Sequence, residues 1–232
     1  MIERYSITAP SSKLALRFGV DVLDTYAPSF NAAPTHLLPV ITNESPKGTS
    51  TFYWGTSPEW AKNKTLGERI INVRTELIAE KPTLKRQLKK SRCLIPADGF
   101  YAWKKVGKKT SIPYRLVVND QELFAFAGLW EEFEDTDGND FHTFCIITAA
   151  ATGVAGTIHD RVPVILAPEN EQLWLDDESS EEDLMSALVP YAADKITHYP
   201  VSPRINNAST NVPSLIKPTP PADQFGNLTL FD

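Results

Sequence analysis

The sequence predicts an α+β fold built on a curved, mostly antiparallel β-sheet flanked by helices. Two observations support this prediction: short runs rich in β-branched and aromatic residues recur along the chain, and the helical patterns between them are fewer and irregularly spaced. Regular alternation of strands and helices would instead indicate a parallel βαβ sheet. The chain of 232 residues is 42% hydrophobic and 22% charged, which is typical of a globular protein with a substantial core.

Turn signals, such as the sequence EDTDGND at 134–140, separate the predicted elements. The predicted strands are HLLPVIT (36–42), TSTFYWG (49–55), YRLVVN (114–119), LFAFAGLWE (123–131), FHTFCIIT (141–148) and VPVIL (162–166). The predicted helices are 14–23, a segment after Pro82, 170–175 and 179–190, the last with a Ser179-x-x-Glu182 capping signature. We expect a single domain over residues 1–217 and a Pro-rich C-terminal tail over 218–232.

Several classes of protein are disfavoured by composition. Apolar runs stay well short of the roughly 18 residues of a membrane span, and Glu3 and Arg4 interrupt the place of a signal peptide, so we expect a cytoplasmic protein without a membrane partner. Cys93 and Cys145 lie in apolar contexts without metal-ligand spacing. They are predicted to be buried free thiols, and no metal and no cofactor are expected.

Charge is segregated along the chain, although the net charge is −6. Between Lys81 and Arg115 there are eleven Lys or Arg residues and one acidic residue, whereas Ala167 to Asp194 contains nine acidic residues and no Lys or Arg. A basic segment in an acidic protein can create a local positive field for phosphates. The alternative is a solvated helix face formed by Lys85, Arg86, Lys89 and Lys90.

Several stretches contain polar residues at positions that packing alone does not explain. Asn31 precedes Pro34 and Thr35 in a stiff turn. Asn72, Arg74 and Glu76 alternate with smaller residues, so an extended backbone would place all three on one face. Three further stretches have the same character: PADGFYAWKK (96–105), TIHDRVPVIL (157–166) and PVSPRINN (200–207).

These motifs, together with WG and PEWAK (54–62) and AFAGLWE (125–131), resemble the SOS response-associated peptidase family, the abasic-site processing proteins, and follow one another along the chain in the order of that family. The resemblance covers nearly the whole chain and implies a barrel-like sheet with a positively charged groove for single-stranded DNA. In that family an N-terminal cysteine captures the aldehyde of an abasic site through its α-amine and thiol. The chemistry is reasonable, because an α-amine has a pKa of roughly 7.7–8.0 and is partly neutral in cells.

This sequence departs from the family pattern at two catalytic positions. Ile2 occupies the position of the nucleophilic cysteine, and Ala102 occupies that of a glutamate in the GFYEW motif. Other family positions are retained, and the resemblance implies that His159 is a former active-site residue. The implied DNA-binding residues are Arg4, Trp60, Asn72, Arg74, Trp103, Thr148 and Arg161, with Glu76 nearby.

The resulting hypothesis is a monomeric single-stranded DNA binder, with or without abasic sites in its DNA, whose cross-linking chemistry is lost or reduced. Ile2 should leave Met1 in place, and the Met1 α-amine can form only a reversible Schiff base. One alternative is an active lyase or peptidase-like enzyme that uses the Met1 amine. Another is a non-enzymatic scaffold, in which internal carboxylates such as Glu76 and Asp160 neutralise Arg74 and Arg161.

Overall fold

The structure is a computed structural model that describes residues 2–55, 70–119, 122–134 and 138–228. The strands in these residues are β1 (Tyr5–Ile7), β2 (Ser29–Ala32), β3 (Leu37–Thr42), β4 (Ser50–Trp54), β5 (Asn72–Arg74), β6 (Arg92–Ala97), β7 (Gly99–Lys105), β8 (Ser111–Val118), β9 (Phe124–Glu134), β10 (Asp140–Ala150), β11 (Arg161–Pro163) and β12 (Ile196–Pro200). The α-helices are α1 (Ser11–Phe18), α2 (Thr75–Glu80), α3 (Pro82–Lys90), α4 (Gly153–Gly156), α5 (Pro168–Leu175) and α6 (Glu181–Ser186).

Five strands close into a mixed barrel, so the fold is α+β with a barrel-like sheet, as the sequence predicts. The order is β10-β4-β3-β6-β9, and a further antiparallel pairing between β9 and β10 completes the ring. The β4–β10 pair is parallel, which makes the barrel mixed. Because closure leaves no open edge within the ring, every barrel strand is protected on both sides.

A second, fully antiparallel sheet has the order β12-β8-β7-β1-β2. It places the N-terminal strand β1 between β2 and β7, so the start of the chain is held inside the fold. The strands β5 and β11 extend the barrel at β10: β5 runs parallel to it and β11 antiparallel. This arrangement brings three chain segments together at one end of β10.

Side chains on the barrel strands point alternately into two core clusters, one on each face of the sheet. On β10, Phe144 and Ile146 belong to the cluster shared with the second sheet, whereas Cys145 and Ile147 belong to the cluster covered by α2, α3, α5 and α6. Side chains of a strand alternate in direction, so burial on both faces produces the nearly continuous apolar run that predicts this strand. Cys145 is free and buried, as is Cys93.

The predicted helix boundaries differ from the observed ones, most clearly at α1 and α6. The predicted helix 14–23 is observed as Ser11–Phe18, because Gly19 takes a left-handed conformation with φ +65° and ends α1. The predicted capping residue Ser179 instead donates a hydrogen bond to the carbonyl of Leu173. The N-cap of α6 is Ser180, whose hydroxyl accepts the backbone N–H of Asp183 at 3.1 Å.

The predicted strand 162–166 is also shorter than expected, since β11 ends at Pro163 and Ile165 forms an isolated bridge to Phe126. Within the described residues, no helix is both long and apolar enough to cross a membrane. The first part of the predicted tail is bound to the domain: the backbone N–H of Thr219 donates to the carbonyl of Pro200 at 3.0 Å.

Candidate functional site

The site forms where the N-terminal segment meets β5. The side-chain amide of Asn72 donates to the carbonyl oxygen of Ile2 at 2.7 Å. Strand β5 holds Asn72 in place, because Asn72 pairs with Ile146 and Arg74 pairs with Thr148 in a parallel register. The start of the chain is therefore fixed by a side chain that is distant in sequence.

Ile2 and Ala102, the positions at which the sequence is predicted to lack catalytic residues, are both buried and apolar. Ile2 is 1% exposed and Ala102 is 4% exposed, and both belong to the same core cluster. Ala102 lies opposite Tyr114 in the β7–β8 pair. The Tyr114 hydroxyl is buried and has no hydrogen-bond partner in the described structure. Ile2 and Ala102 thus contribute to packing in this chain.

Arg161 is the centre of a polar network between β11, β10 and α2. Its guanidinium contacts both carboxylate oxygens of Glu76, at 3.0 and 2.9 Å, in a bidentate ion pair. It also donates to the backbone carbonyl of Thr148 at 2.6 Å and to its hydroxyl at 3.2 Å. The Arg161 guanidinium lowers the pKa of Glu76 to about 2. Arg161 is therefore oriented, and its charge is largely balanced internally.

The extended arrangement predicted for Asn72, Arg74 and Glu76 is only partly correct. Strand β5 ends at Arg74, and α2 begins at Thr75, so Glu76 lies in the first helical turn. A carboxylate is favourable there, because the helix N-terminus carries partial positive charge. The turn from strand to helix points Glu76 towards Arg161, and no carboxylate pairs with the exposed Arg74 among the described residues.

His159 lies directly before β11 and is partly buried. The backbone N–H of Arg161 donates to its Nδ1 at 3.0 Å, and an Asp160 carboxylate oxygen lies 2.8 Å from the same nitrogen. Burial lowers the pKa of His159, and this effect exceeds the opposing influence of Asp160. Burial thus favours the neutral form of the ring, while the Asp160 carboxylate favours the charged form.

Two unsatisfied polar atoms lie close to the N-terminal segment. The Nε of Arg4 and the Oδ1 of Asn72 are buried and have no hydrogen-bond partner in the described structure. Burial lowers the pKa of Arg4. Buried polar groups are nearly always hydrogen-bonded in folded proteins, so unpaired ones indicate a place for a ligand or water.

The remaining predicted binding residues have different surroundings. The indole N–H of Trp103 donates to the side chain of Asn206 at 2.9 Å, and its ring is partly buried. Thr148 is buried, and its hydroxyl donates to the carbonyl of Val73. Trp60 lies outside the described residues. Trp130 on β9 is 6% exposed and belongs to the core.

Asn31 has a structural role that its motif did not reveal. Its side-chain amide donates to the carbonyls of Ile205, Asn207 and Thr210, which ties the 30–40 segment to the 200–207 segment. The two motifs therefore form one structural unit. Thr35, four residues later, has φ +73°, which is strained for a β-branched residue.

His36 is a nearby residue that sequence reasoning missed. Burial lowers its pKa, and the charge of Arg4 lowers it further, which indicates that the two side chains are close. The signal available in the sequence was its position within the 30–40 motif, directly after the strained Thr35.

The basic helix α3 is partly neutralised by the acidic segment. Lys85 and Lys89 both pair with Glu181 on α6, at 3.4 and 3.3 Å. Arg86 and Lys90 line a cavity of about 510 Å³ that lies between α2, α3 and the barrel. The charge segregation seen in the sequence is thus used in part to join two helices.

The fold and the site define a closed-barrel protein with a polar cluster beside its N-terminal strand. A family model described as SOS response associated peptidase (SRAP) matches residues 1–208. The chain therefore belongs to the SOS response associated peptidase family.

Similar proteins share most of this chain. It is 39% identical over 222 residues to the abasic site processing protein YoqW of Bacillus subtilis, covering 94% of this chain and 99% of that protein. It is 29% identical over 235 residues to the abasic site processing protein HMCES of Rattus norvegicus, covering 84% and 66%. A crystal structure of a protein from Bacteroides thetaiotaomicron superposes with a TM-score of 0.83 and 27% identity, covering 93% and 99%.

Proposed function

We propose that the protein binds single-stranded DNA, with or without an abasic site, and that its covalent cross-linking chemistry is lost or reduced. It would act as a monomer in the cytoplasm. The abasic site processing proteins among its relatives support a DNA partner. One observation supports the proposed loss of cross-linking. Polar residues such as Asn72 are present at the site, whereas Ile2 and Ala102, at the two proposed reactive positions, are apolar and buried.

The unsatisfied atoms support binding at this place. A phosphate or sugar oxygen is an acceptor for Arg4 Nε, and a donor group of a nucleotide suits Asn72 Oδ1. Arg74 is exposed beside them, and an arginine fork matches two phosphate oxygens. The neutral form of His159 retains the ability to donate or accept one hydrogen bond near a sugar.

One observation favours a second candidate, the non-enzymatic scaffold without a DNA role. Arg161 is already paired with Glu76 in a bidentate geometry, so a phosphate must compete for it. Arg4 and Arg74 are not consumed by carboxylate pairs of this kind in the described structure. The DNA-binding proposal therefore depends more on these two arginines than on Arg161.

The test uses one fluorescent single-stranded oligonucleotide, prepared with and without an abasic site. Equilibrium binding is measured across a range of salt concentrations, and denaturing gels are run with and without borohydride. We expect salt-dependent binding and no borohydride-independent adduct. Each neutralised phosphate of a single strand should steepen the log–log salt dependence by about 0.7.

Two controls make the outcome decisive. Arg74→Ala should weaken binding and reduce the salt slope, whereas Lys13→Ala, which removes an exposed charge on α1, should change neither. Absence of binding at low salt would contradict the proposal and favour the scaffold. A covalent band that requires borohydride would identify a Schiff base on an amine and favour the enzyme that uses the Met1 amine.

A further inference from the structure

The C-terminal tail contains a structured turn beyond the part of the chain that the family model matches, which ends at residue 208. Ala222 and Leu228 form an antiparallel bridge at its base. The carboxylate of Asp223 accepts the backbone N–H groups of Phe225 and Asn227, each at 2.9 Å. Gly226 supplies the left-handed conformation, with φ +87°. The turn is therefore preorganised, and Phe225 is near its tip.

The side chain of Gln224 fixes this turn to the β7–β8 hairpin. Its Oε1 accepts the backbone N–H of Ser111 at 2.9 Å, and its Nε2 donates to the carbonyl of Lys109. Both partners are backbone groups of the hairpin, so the attachment depends on backbone geometry and not on mobile side chains. The turn and the hairpin loop consequently present one continuous surface.

That surface combines an exposed aromatic ring with several cations. Phe225 is 74% exposed, although it is held in place by the turn. Lys105, Lys108 and Lys109 are exposed on the adjoining loop, and the segment 103–113 contains no acidic residue. We call these four residues the Phe225–lysine surface. An exposed aromatic ring beside lysines is typical of sites where a base stacks and phosphates pair with cations.

Strand β7 links the Phe225–lysine surface to the candidate site. It runs from Ala102 and Trp103 to Lys105. The positive charge of Lys105 also contributes to lowering the pKa of His159, which indicates that Lys105 lies near the site. A strand of DNA that leaves the site along β7 would therefore reach the hairpin loop and then Phe225.

We propose that the Phe225–lysine surface is a second contact for single-stranded DNA, where a base outside the central site stacks on Phe225 and its neighbouring phosphates pair with Lys108 and Lys109. This proposal rests on the proposed DNA-binding function. Val106 and Leu228 are also exposed on this surface, at 41% and 68%. The occupant is nevertheless taken to be a nucleic acid, because three lysines without an acidic residue on the hairpin loop provide charge complementarity to phosphates beside a ring on which a base can stack. A protein partner would leave DNA affinity unchanged on substitution of Phe225.

The experiment compares the affinities of the protein for single-stranded oligonucleotides of different length. A short one of about four nucleotides occupies the central site alone, and two longer ones of about sixteen nucleotides extend it on the 5′ or the 3′ side. Phe225→Ala should weaken binding of one longer oligonucleotide by about fivefold or more, because stacking contributes about 1–3 kcal/mol per base. The same variant should bind the short oligonucleotide as the unaltered protein does.

Further variants separate the contributions. Lys108→Ala/Lys109→Ala should reduce the salt slope on the same longer oligonucleotide by about 1.4, which corresponds to two phosphates. Gln224→Ala should produce part of the Phe225→Ala effect by releasing the turn. Leu16→Ala, at an 86% exposed apolar residue of α1, and Lys13→Ala/Lys47→Ala are the matched controls and should bind normally.

The outcomes distinguish this inference from the proposed function. If the unaltered protein binds all three oligonucleotides and Phe225→Ala binds them equally well, the second contact is refuted and the central site stands. If the unaltered protein binds none of them at low salt, the DNA-binding function fails and the second contact fails with it. A loss confined to one longer oligonucleotide supports the proposal and gives the direction of the strand.

Discussion

Glu76 is the residue that controls the charge of the site. Its carboxylate holds the Arg161 guanidinium in a bidentate pair, while Thr148 provides two further acceptors for the same group. The arginine is therefore preorganised for an anion but shielded from it. A phosphate can bind Arg161 only if it displaces the Glu76 carboxylate. The Arg161–Glu76 pair is partly exposed to water, so its energy is modest.

We predict that Glu76→Gln strengthens binding of single-stranded DNA. The substitution removes one negative charge and frees Arg161 to contact a phosphate, which should steepen the log–log salt dependence by about 0.7. The matched control is Glu80→Gln, which removes the same charge from an exposed position on α2. Fluorescence anisotropy across salt measures both. If the two variants have equal salt slopes, the effect of Glu76→Gln comes from the loss of one negative charge and not from the release of Arg161.

The same pair predicts a dependence of stability on pH. The pKa of Glu76 is about 2 in the folded protein, below its ordinary value of 4.5, so the pair stabilises the fold above about pH 4.5 and this stabilisation is lost as pH falls towards 2. Urea unfolding between pH 2 and 5 should show a smaller loss of stability for Glu76→Gln than for the unaltered protein. If the two proteins lose the same amount of stability between pH 5 and pH 2, the Glu76–Arg161 pair does not stabilise the fold.

At the scale of elements, the strand β1 is held by a buried ionic network. Arg115 on β8 donates to the carboxylate of Asp98 at 2.9 Å and to the hydroxyl of Ser6 at 3.1 Å, and Ser6 in turn donates to Asp98 at 2.7 Å. Gly99 is required beside it, because a Cβ there would lie 2.6 Å from Arg115 Nε. This network joins β1 to β7 and β8 and thereby positions the segment that carries Ile2 and Arg4.

We predict that Asp98→Ala destabilises the protein by about 3–5 kcal/mol, because it leaves the 1% exposed Arg115 without its carboxylate. Lys89→Ala, which removes an exposed cation paired with Glu181, should cost less than about 1 kcal/mol. Urea unfolding monitored by tryptophan fluorescence measures both. A small effect of Asp98→Ala would mean that β1 is held mainly by its apolar side chains.

The capping of α6 gives a smaller prediction at the same scale. Ser180→Ala removes the hydroxyl that accepts the Asp183 N–H, and this should cost about 0.5–2 kcal/mol. Ser209→Ala is a suitable comparison, because its side chain has no capping role in a described helix. The expected order of stability, measured by thermal unfolding, is the unaltered protein and Ser209→Ala above Ser180→Ala.

For the whole molecule, the apolar Ile2 and Ala102 are part of the core that joins the barrel to the second sheet. A reactive centre would replace this packing with polar groups. The chain has the family fold, and Ile2 and Ala102 contribute buried apolar surface to its stability.

We predict that Ile2→Cys/Ala102→Glu, once Met1 has been removed so that residue 2 carries a free α-amine, forms a covalent adduct with abasic-site DNA that persists without borohydride. The amine condenses with the aldehyde and releases water, and the thiol of the same residue then adds to the imine carbon to close a stable ring; mass spectrometry confirms that Met1 is absent. Ile2→Ser/Ala102→Glu supplies no thiol and should give no such band on a denaturing gel. Ala102→Glu alone should destabilise the protein, because it places a carboxylate at a 4% exposed position. A folded Cys/Glu variant without an adduct would contradict the assignment of these positions.

Motifs identified the residues proposed for the candidate site, but they did not predict the contacts that these residues make. His159, Arg161, Asn72 and Thr148 were identified from motifs, and the structure brings them to one end of β10 with the chain start. The partners were not predictable: Glu76 was expected on the face of a strand and lies in a helix, and Asn31 binds a loop. A motif records residue types, whereas a hydrogen bond depends on the relative position of two distant segments.

The sequence by itself determined the α+β class, six of the twelve strands of the described residues, the buried thiols and the family, because alternation, turn residues and motifs are local properties of the chain. Only the tertiary structure decided the closure of the barrel through β9–β10 and the parallel β4–β10 pair, the neutralisation of Arg161, and the attachment of the tail to the β7–β8 hairpin. These features depend on contacts between segments far apart in sequence. Such contacts form only when the whole core is buried together, and no local pattern specifies them.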